Sequence, residues 1–419
     1  MVINSKMKIG SPSDLRRVHR SLILRAIFSG TGHSRTQLAG QSGLSTMAIT
    51  RIIRELIDVG VIKEMGKRNR DGNPGRKQTE LSIQANGAYV VALVISAFGH
   101  EIAVIDASGN TVIKQKLLLS YTETPESCLR SISESITSLI DDAKIQKDRV
   151  LGIGVSIAAF VESSTGTVIK APYLGWEAVE LGREITQRTG LPLIAENIAD
   201  AINLAEQTTN NLDNSAGVFL VHTSVACGAS YTHQGDLVRG ANFSAGQIGH
   251  LPVSNSELTC SCGASDCLNT HSSGWSVLAK LGRTNSKTYN PKNNDTYANA
   301  LNELIAENPS DESPEGRVLY HAGKQLGNIL RNISLIVDPG TIVLAGKLPE
   351  SPAYVAGCKD TWAELSANQL RRAPQLITGH VAPIQAAGLL ALNSFLFSPA
   401  LDITSLSKVS EGAEKGYGT

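Results

Sequence analysis

Apolar positions along the chain follow two rhythms. Near the start the rhythm is helical. Leu15, Val18, Leu22, Ile23, Ala26 and Ile27 fall on one face of residues 14–30, and Gly30 ends the segment. A short helix fits Arg35–Gln41, with Leu38 inward. Gly43 makes a turn, and Ser45 is a good N-cap for a third helix, Thr46–Val59. On that helix Ile49, Ile52, Ile53, Leu56 and Ile57 form the buried stripe. Met47, Thr50, Arg51, Arg54 and Asp58 share the opposite face, and Gly60 closes the helix. Two short strands, Val61–Met65 and Thr79–Ile83, then flank a loop rich in Gly, Pro and Arg, which reads as a β-hairpin wing.

From Gly87 the rhythm changes. Residues 88–97 and 100–119 read as consecutive strands with a turn at Ser108-Gly109-Asn110. A helix over Pro125–Lys144 follows, then strands in 150–162 and 166–174. Helical spacing returns at Ala178–Thr189 and from Ala199 to Gln207, on either side of a short strand, Pro192–Ala195. Strands at Gly217–His222 and Gly228–Tyr231 repeat the earlier style. A helix over Glu315–Ser334, a strand at Thr341–Ala345 and a closing helix over Ala386–Phe397 complete the pattern. Meanders alternating with helices, twice over, predict an α/β body of two related lobes with a cleft between them.

Charge sharpens the division. The 419 residues carry 38 basic and 38 acidic side chains. Met1–Glu80 holds 15 of the basic and 6 of the acidic ones, a net of +9, so the remainder carries −9. A basic head on an acidic body points to nucleic-acid contact confined to the first 80 residues. Helix, helix, tight turn, helix is the arrangement that lays its last helix in a DNA major groove. Thr46, Met47, Thr50 and Arg51 then face base edges and Arg54 a phosphate, with Arg35 on the preceding helix as a further contact. Arg68, Arg70, Arg76 and Lys77 in the wing are placed to enter a minor groove or hold the backbone. The competing reading is a three-helix packing module with a solvated basic loop. The first ten residues hold no run suited to a signal peptide, and no later stretch of about 18 apolar residues appears, so a cytoplasmic protein is expected.

Three of the six cysteines lie within eight positions. With His250, Cys260, Cys262 and Cys267 offer one imidazole and three thiolates. Zinc accepts four such ligands in a tetrahedron, and a closed set is structural. A disulfide or free thiols are the alternatives. Cys128, Cys227 and Cys358 are isolated and read as ordinary small residues.

Six stretches together carry a resemblance: GIGVSIAAFV (152–161), APYLGW (171–176), AENIADAINLAE (195–206), RGANFSAGQIGH (239–250), CSCGASDC (260–267) and IVDPGTIVLAG (336–346). The chain is similar to the ROK family of bacterial repressors, open reading frames and sugar kinases, over nearly its whole length. The winged head places it with the repressor members. The resemblance implies a winged helix-turn-helix over 1–83 and a two-lobed, actin-like (ribonuclease H-like) sugar-kinase fold. Its lobes would span 84–198 and 199–397, while the mixture of Ser, Gly and Lys in 398–419 reads as a mobile tail. It also implies that the His-Cys-Cys-Cys quartet binds structural zinc, with His250 bordering a sugar pocket.

Kinases of this family need two phosphate loops and a catalytic aspartate. The positions matching the first loop are Val94–Phe98, without its carboxylate, glycines or threonine. The second corresponds to His222–Gly228, where only Thr223 and the last glycine remain. The aspartate position after Asn197 is Ile198, in a register fixed by Glu206. Asp200, one helical turn on, is either a substitute base or a helix-start carboxylate. Catalytic residues are therefore expected to be absent. Asn197, Gln247, His250 and Asn269 outline the pocket that remains, its carboxylates replaced by Ile198, Gln247 and Asn269. A small carbohydrate-like effector, including one with an anionic group, fits this pocket. So does a cleft that has lost ligand binding and serves a protein partner. Tyr173, Trp176 and Trp275 lie near the same motifs and read chiefly as core. The expected protein is a repressor of carbohydrate genes that binds operator DNA as a homodimer or higher oligomer, since one winged helix covers one half-site.

Overall fold

The computed structural model describes residues 11–68, 78–119, 123–210, 212–366 and 373–406. The head has three helices, Pro12–Phe28, Arg35–Ser42 and Thr46–Asp58, then two antiparallel strands, Ile62–Arg68 and Gln78–Ile83. Each helix starts on a serine whose hydroxyl accepts a backbone N–H of the first turn, Ser11 from Asp14, Ser34 from Gln37 and Ser45 from Ala48. Such a cap is worth about 1 kcal/mol. Gly43 takes φ +69°, the left-handed turn that separates the last two helices. Ile49, Ile52, Ile53 and Leu56 are buried, while Ile57 is only half-buried at the rim.

The body contains two five-stranded sheets of the same order. In the first, strands run 193–197, 150–157, 89–96, 99–106 and 111–117. In the second they run 375–378, 341–345, 218–223, 227–233 and 236–237. In both, the first three are parallel and the last two continue as an antiparallel meander. A small three-stranded sheet, 160–162, 167–171 and 176–179, adds to the first lobe. Helices Pro125–Asp142 and Leu181–Thr189 cover the first sheet, with Ile132, Ile136, Leu139 and Ile185 joining Ile153 of the sheet in one apolar cluster. The long helix Pro314–Val337 pairs with Pro352–Ser366 over the second sheet through Gly323, Gly327 and Gly357, where a Cβ would strike backbone of the facing helix. Tyr173, Trp176 and Trp275 are buried core.

Two expectations need correction. The closing helix, Pro383–Ala391, follows the second lobe in sequence but lies on the first lobe's sheet. Gly154 permits this, because a Cβ there would overlap the Ala387 carbonyl, and Gly152 does the same beneath the Phe395 ring. Nor does a mobile tail begin at 398. Leu401 and Leu406 are buried, and a short 3-10 turn spans Ile403–Ser405. These residues join Ile23, Leu24 and Ile27 of the head, Val90 and Ala92 of the first sheet, and Ala387 and Ala391 in one cluster. Head and body therefore share a continuous apolar core. The Arg149 guanidinium, fully buried, donates to the carbonyls of Gly87 and Val59 across the same junction.

Candidate DNA-binding head, metal centre and interlobe cleft

The helix Thr46–Asp58 carries its polar face outward. Met47 is 83% exposed, and Thr46, Arg51 and Arg54 are also exposed. Thr50 is half-buried, its hydroxyl donating to the Thr46 carbonyl at 2.7 Å. Arg51 lies 3.7 Å from Glu55 and stays 73% exposed, so that pair holds it only weakly. Arg35 is held differently, in a 2.6 Å ion pair with Glu64 of the first wing strand, so it braces helix to wing before any contact with DNA. Arg70, Arg76 and Lys77 lie outside the described residues, and of Arg68 only the backbone, ending the strand, is described.

The four metal-ligand candidates converge. One ligand atom from each of His250, Cys260, Cys262 and Cys267 lies within 4.8 Å of every other. His250 Nδ1 is 3.6 Å from Cys260 Sγ and 3.8 Å from Cys267 Sγ, and the Cys262 and Cys267 sulfurs are 3.4 Å apart. A tetrahedron with metal–sulfur bonds of about 2.3 Å has edges of about 3.7 Å. The sulfurs are too far apart for a disulfide, and all six cysteines are free. The donor set and its size thus fit a tetrahedral ion with no position left open. The loop folds round the site through Gly263, at φ +93°, and the Cys260 N–H bond to the Ala264 carbonyl.

The cleft between the lobes has a volume of about 650 Å³, within the usual range for small-molecule sites. Asn197, Gln247, His250 and Asn269 all border it. Their freedom differs. Gln247 is exposed to the cleft. Asn197 caps the helix Ile198–Thr209 by accepting the Ala199 N–H at 2.9 Å, and donates to the Ala159 carbonyl at 2.7 Å. Asn269 is buried, accepts the Cys227 N–H at 2.8 Å, and its Nδ2 stands 3.9 Å from Cys260 Sγ. Asn269 is therefore tied to the His/Cys cluster from the cleft wall, an arrangement sequence did not reveal.

The segments matched to phosphate loops are hairpin turns. Ala97 and Phe98 project into the cleft at the first, and Ala97 packs against the second lobe's core. At the second, Val225 is buried and the Ser224 N–H bonds the Ala226 carbonyl, closing the turn on itself. Ile198 is buried at the cleft edge. Burial pushes the nearby His222 imidazole down to about 4, so it is neutral at pH 7. Asp200 does not border the cleft. It sits beside Ser230, and burial raises its carboxyl to about 6, with Glu196 adding to the rise.

Arg239 also escaped the sequence reading. It reaches from the second lobe to the first, donating to Glu196 at 2.5 Å and to Ser163 Oγ at 3.2 Å. Ser163 donates in turn to Glu196 at 2.6 Å, so one buried carboxylate is shared by both lobes.

A DNA-binding head on two duplicated lobes, with a four-donor His/Cys cluster at the cleft, defines a sugar-kinase-like body joined to a winged helix. A ROK family profile matches residues 93–392, and the chain belongs to that family. It is 22% identical over 402 residues to a xylose repressor of Bacillus subtilis, an alignment spanning 96% of this chain and all of the relative. A ROK family transcriptional regulator, homologous to the MLC protein of E. coli, shares the fold over 94% of this chain and 99% of its own, with TM-score 0.74 and 20% identity. A ROK hexokinase from Thermus thermophilus matches 73% of this chain and 98% of its own, with TM-score 0.57 and 19% identity. Among the described residues no helix is long and apolar enough to cross a membrane.

Proposed function

We propose that the protein is a cytoplasmic, sugar-responsive repressor that binds operator DNA as a dimer. Its cleft would hold a carbohydrate-like effector and leave it unphosphorylated. The observation that carries this reading is the pairing of an exposed Thr46–Arg54 face with a cleft whose three acid positions are Ile198, Gln247 and Asn269. None of these three side chains is a carboxylate that could take a sugar hydroxyl proton. The turns at 97–98 and 224–226 offer side chains where phosphate cradles need bare backbone. Repressor relatives support the reading, and the kinase that shares the body fold supplies the rival. Zinc would fill the four-donor cluster and hold the His250 side of the cleft in place, a structural role. Thr46, Met47, Thr50 and Arg51 would read bases, Arg54 would neutralise a phosphate, and Arg35 would orient the wing.

The test is a thermal-shift screen of zinc-loaded protein with D-xylose, other sugars, sugar phosphates and sugar acids, each with and without ATP·Mg. A ligand at roughly 100 times its Kd adds about 2.7 kcal/mol. Stabilisation by one sugar-like compound, indifferent to ATP, is the expected result. Stabilisation by ATP·Mg itself would restore the kinase reading. No shift with any compound would favour control by a protein partner.

A further inference from the structure

The cleft and the DNA-binding head are joined by one continuous segment. Gly379 to Pro383 border the cleft. The helix Pro383–Ala391 then crosses the first sheet and continues as a π-helical turn over Leu392–Leu396. There the head docks. Ser21 Oγ donates to the Phe397 carbonyl at 2.5 Å, Arg25 donates to the Asn393 carbonyl at 3.1 Å, and Arg20 donates to the Leu401 carbonyl. The Phe28 and Phe397 rings lie 4.9 Å apart.

The root of this segment is fixed by one side chain. Glu206 is fully buried on the helix Ile198–Thr209. Its Oε1 accepts the Val381 N–H at 2.7 Å, and its Oε2 accepts the Asn210 amide at 2.5 Å. Gly379 is packed so closely that a Cβ there would stand 2.6 Å from Glu206 Oε1. Among the described residues no cation pairs with Glu206. A buried carboxyl group is costly unless its oxygens are hydrogen-bonded, and both oxygens of Glu206 are. The same helix begins at Asn197, whose two amide contacts lie at the cleft. One helix thus has its N-cap at the cleft wall and, two turns on, grips the backbone that leads to the head.

We propose that Glu206 is a positioning residue that transmits the state of the cleft to the DNA-binding head. The proposal rests on the repressor reading for its purpose, though not for its geometry. Displacement of Asn197 by an effector moves the helix Ile198–Thr209. Glu206 carries that movement to Val381, and the closing helix delivers it to the head's dock at Asn393–Leu401. The π-helical turn at Leu392–Leu396 is the element that can change register, since one residue fewer restores an α-helical turn.

The experiment is amide hydrogen exchange on the full, zinc-loaded chain, comparing wild type with Glu206→Ala, Glu206→Asp and Glu206→Gln. Leu301→Ala, in the second lobe's core, serves as a comparably destabilised control. Glu206→Asp should accelerate exchange on the order of tenfold in both 383–397 and 12–28, with the strands 218–223 and 341–345 unchanged. Glu206→Gln, which keeps the acceptor for Val381, should stay near wild type. Glu206→Ala should behave as Glu206→Asp; if it does not fold, the aspartate variant carries the test. Faster exchange that stops before Ala391 and leaves 12–28 at wild-type rates would overturn the proposal. So would an equal effect of Leu301→Ala on the head. A failure of wild type to bind any duplex would remove the repressor reading and leave this exchange pattern intact, so the two failures are distinguishable.

Discussion

Asp200 is a half-buried acid whose removal should strengthen the protein. It lies one turn into the helix that Asn197 caps, hydrogen-bonded to Ser230 and facing Glu196 and Arg239. Burial raises its carboxyl from 3.8 to about 6, Glu196 pushes the same way, and Ser230 and Arg239 oppose. The folded state therefore favours the protonated acid. The destabilising contribution is absent below 3.8, grows as pH rises, and is complete above about 6. A shift of that size corresponds to at most about 3 kcal/mol. Asp200 keeps partial exposure, so we expect about 1–2 kcal/mol after solvent screening. Asp200→Asn keeps the contact with Ser230 and removes the charge. Urea unfolding should show the variant more stable than wild type at about pH 7.5, with the advantage reduced by about half near pH 5. No advantage at the higher pH, or an advantage equal at both pH values, would refute the argument. The first outcome would mean that Arg239 already neutralises the carboxylate.

Three further outcomes follow from other sites. Purified protein should contain one zinc per chain, and Cys262→Ser or a chelator should lower the melting temperature of the body; metal content by elemental analysis well below one would count against the cluster. Double substitution Arg51→Ala and Arg54→Ala should weaken duplex binding, measured by fluorescence anisotropy, and lower the slope of log affinity on log salt by about 1 for each phosphate left without its arginine; an unchanged slope would move the DNA interface elsewhere. Gly154→Ala should cost about 1–3 kcal/mol of stability in denaturant melts, because its methyl meets the Ala387 carbonyl and the closing helix has to lift; a neutral result would mean that the helix shifts freely.

Local patterning made the head readable. The stripe Ile49, Ile52, Ile53, Leu56 has the helical period of about 3.6 residues, and serine caps and Gly43 mark the boundaries. The His/Cys cluster was readable because three of its four candidate ligands are neighbours in sequence. What sequence concealed is non-local. Nothing in Pro383–Ala391 says which lobe it will cover; that depends on Gly152 and Gly154, far earlier in the chain. Glu206 marked a register in the sequence, and only its bond to Val381, 175 positions away, shows a task. Asn269 looked like a ligand-facing amide, but the fold commits it to Cys227 and Cys260. Helices Asn294–Ala306 and Pro352–Ser366 went unread, although Pro352 stands at a helix start and Leu301 and Leu304 keep helical spacing.

The shared core of the head and the segment around residue 400 sets an order of events during synthesis. The helix Pro12–Phe28 leaves the ribosome about 370 residues before its partner Phe397. At about 5–20 residues per second the interval is roughly 20–70 s. Throughout it the nascent head carries Ile23, Leu24 and Ile27 without their final cover from Leu401 and Leu406. A chain cut short before Phe397 keeps its three helices and the Arg149 bonds to Gly87 and Val59, but loses the cover from Phe397, Leu401 and Leu406. Such a fragment would keep the exposed face of Thr46–Asp58 while losing this part of the head's anchor to the body.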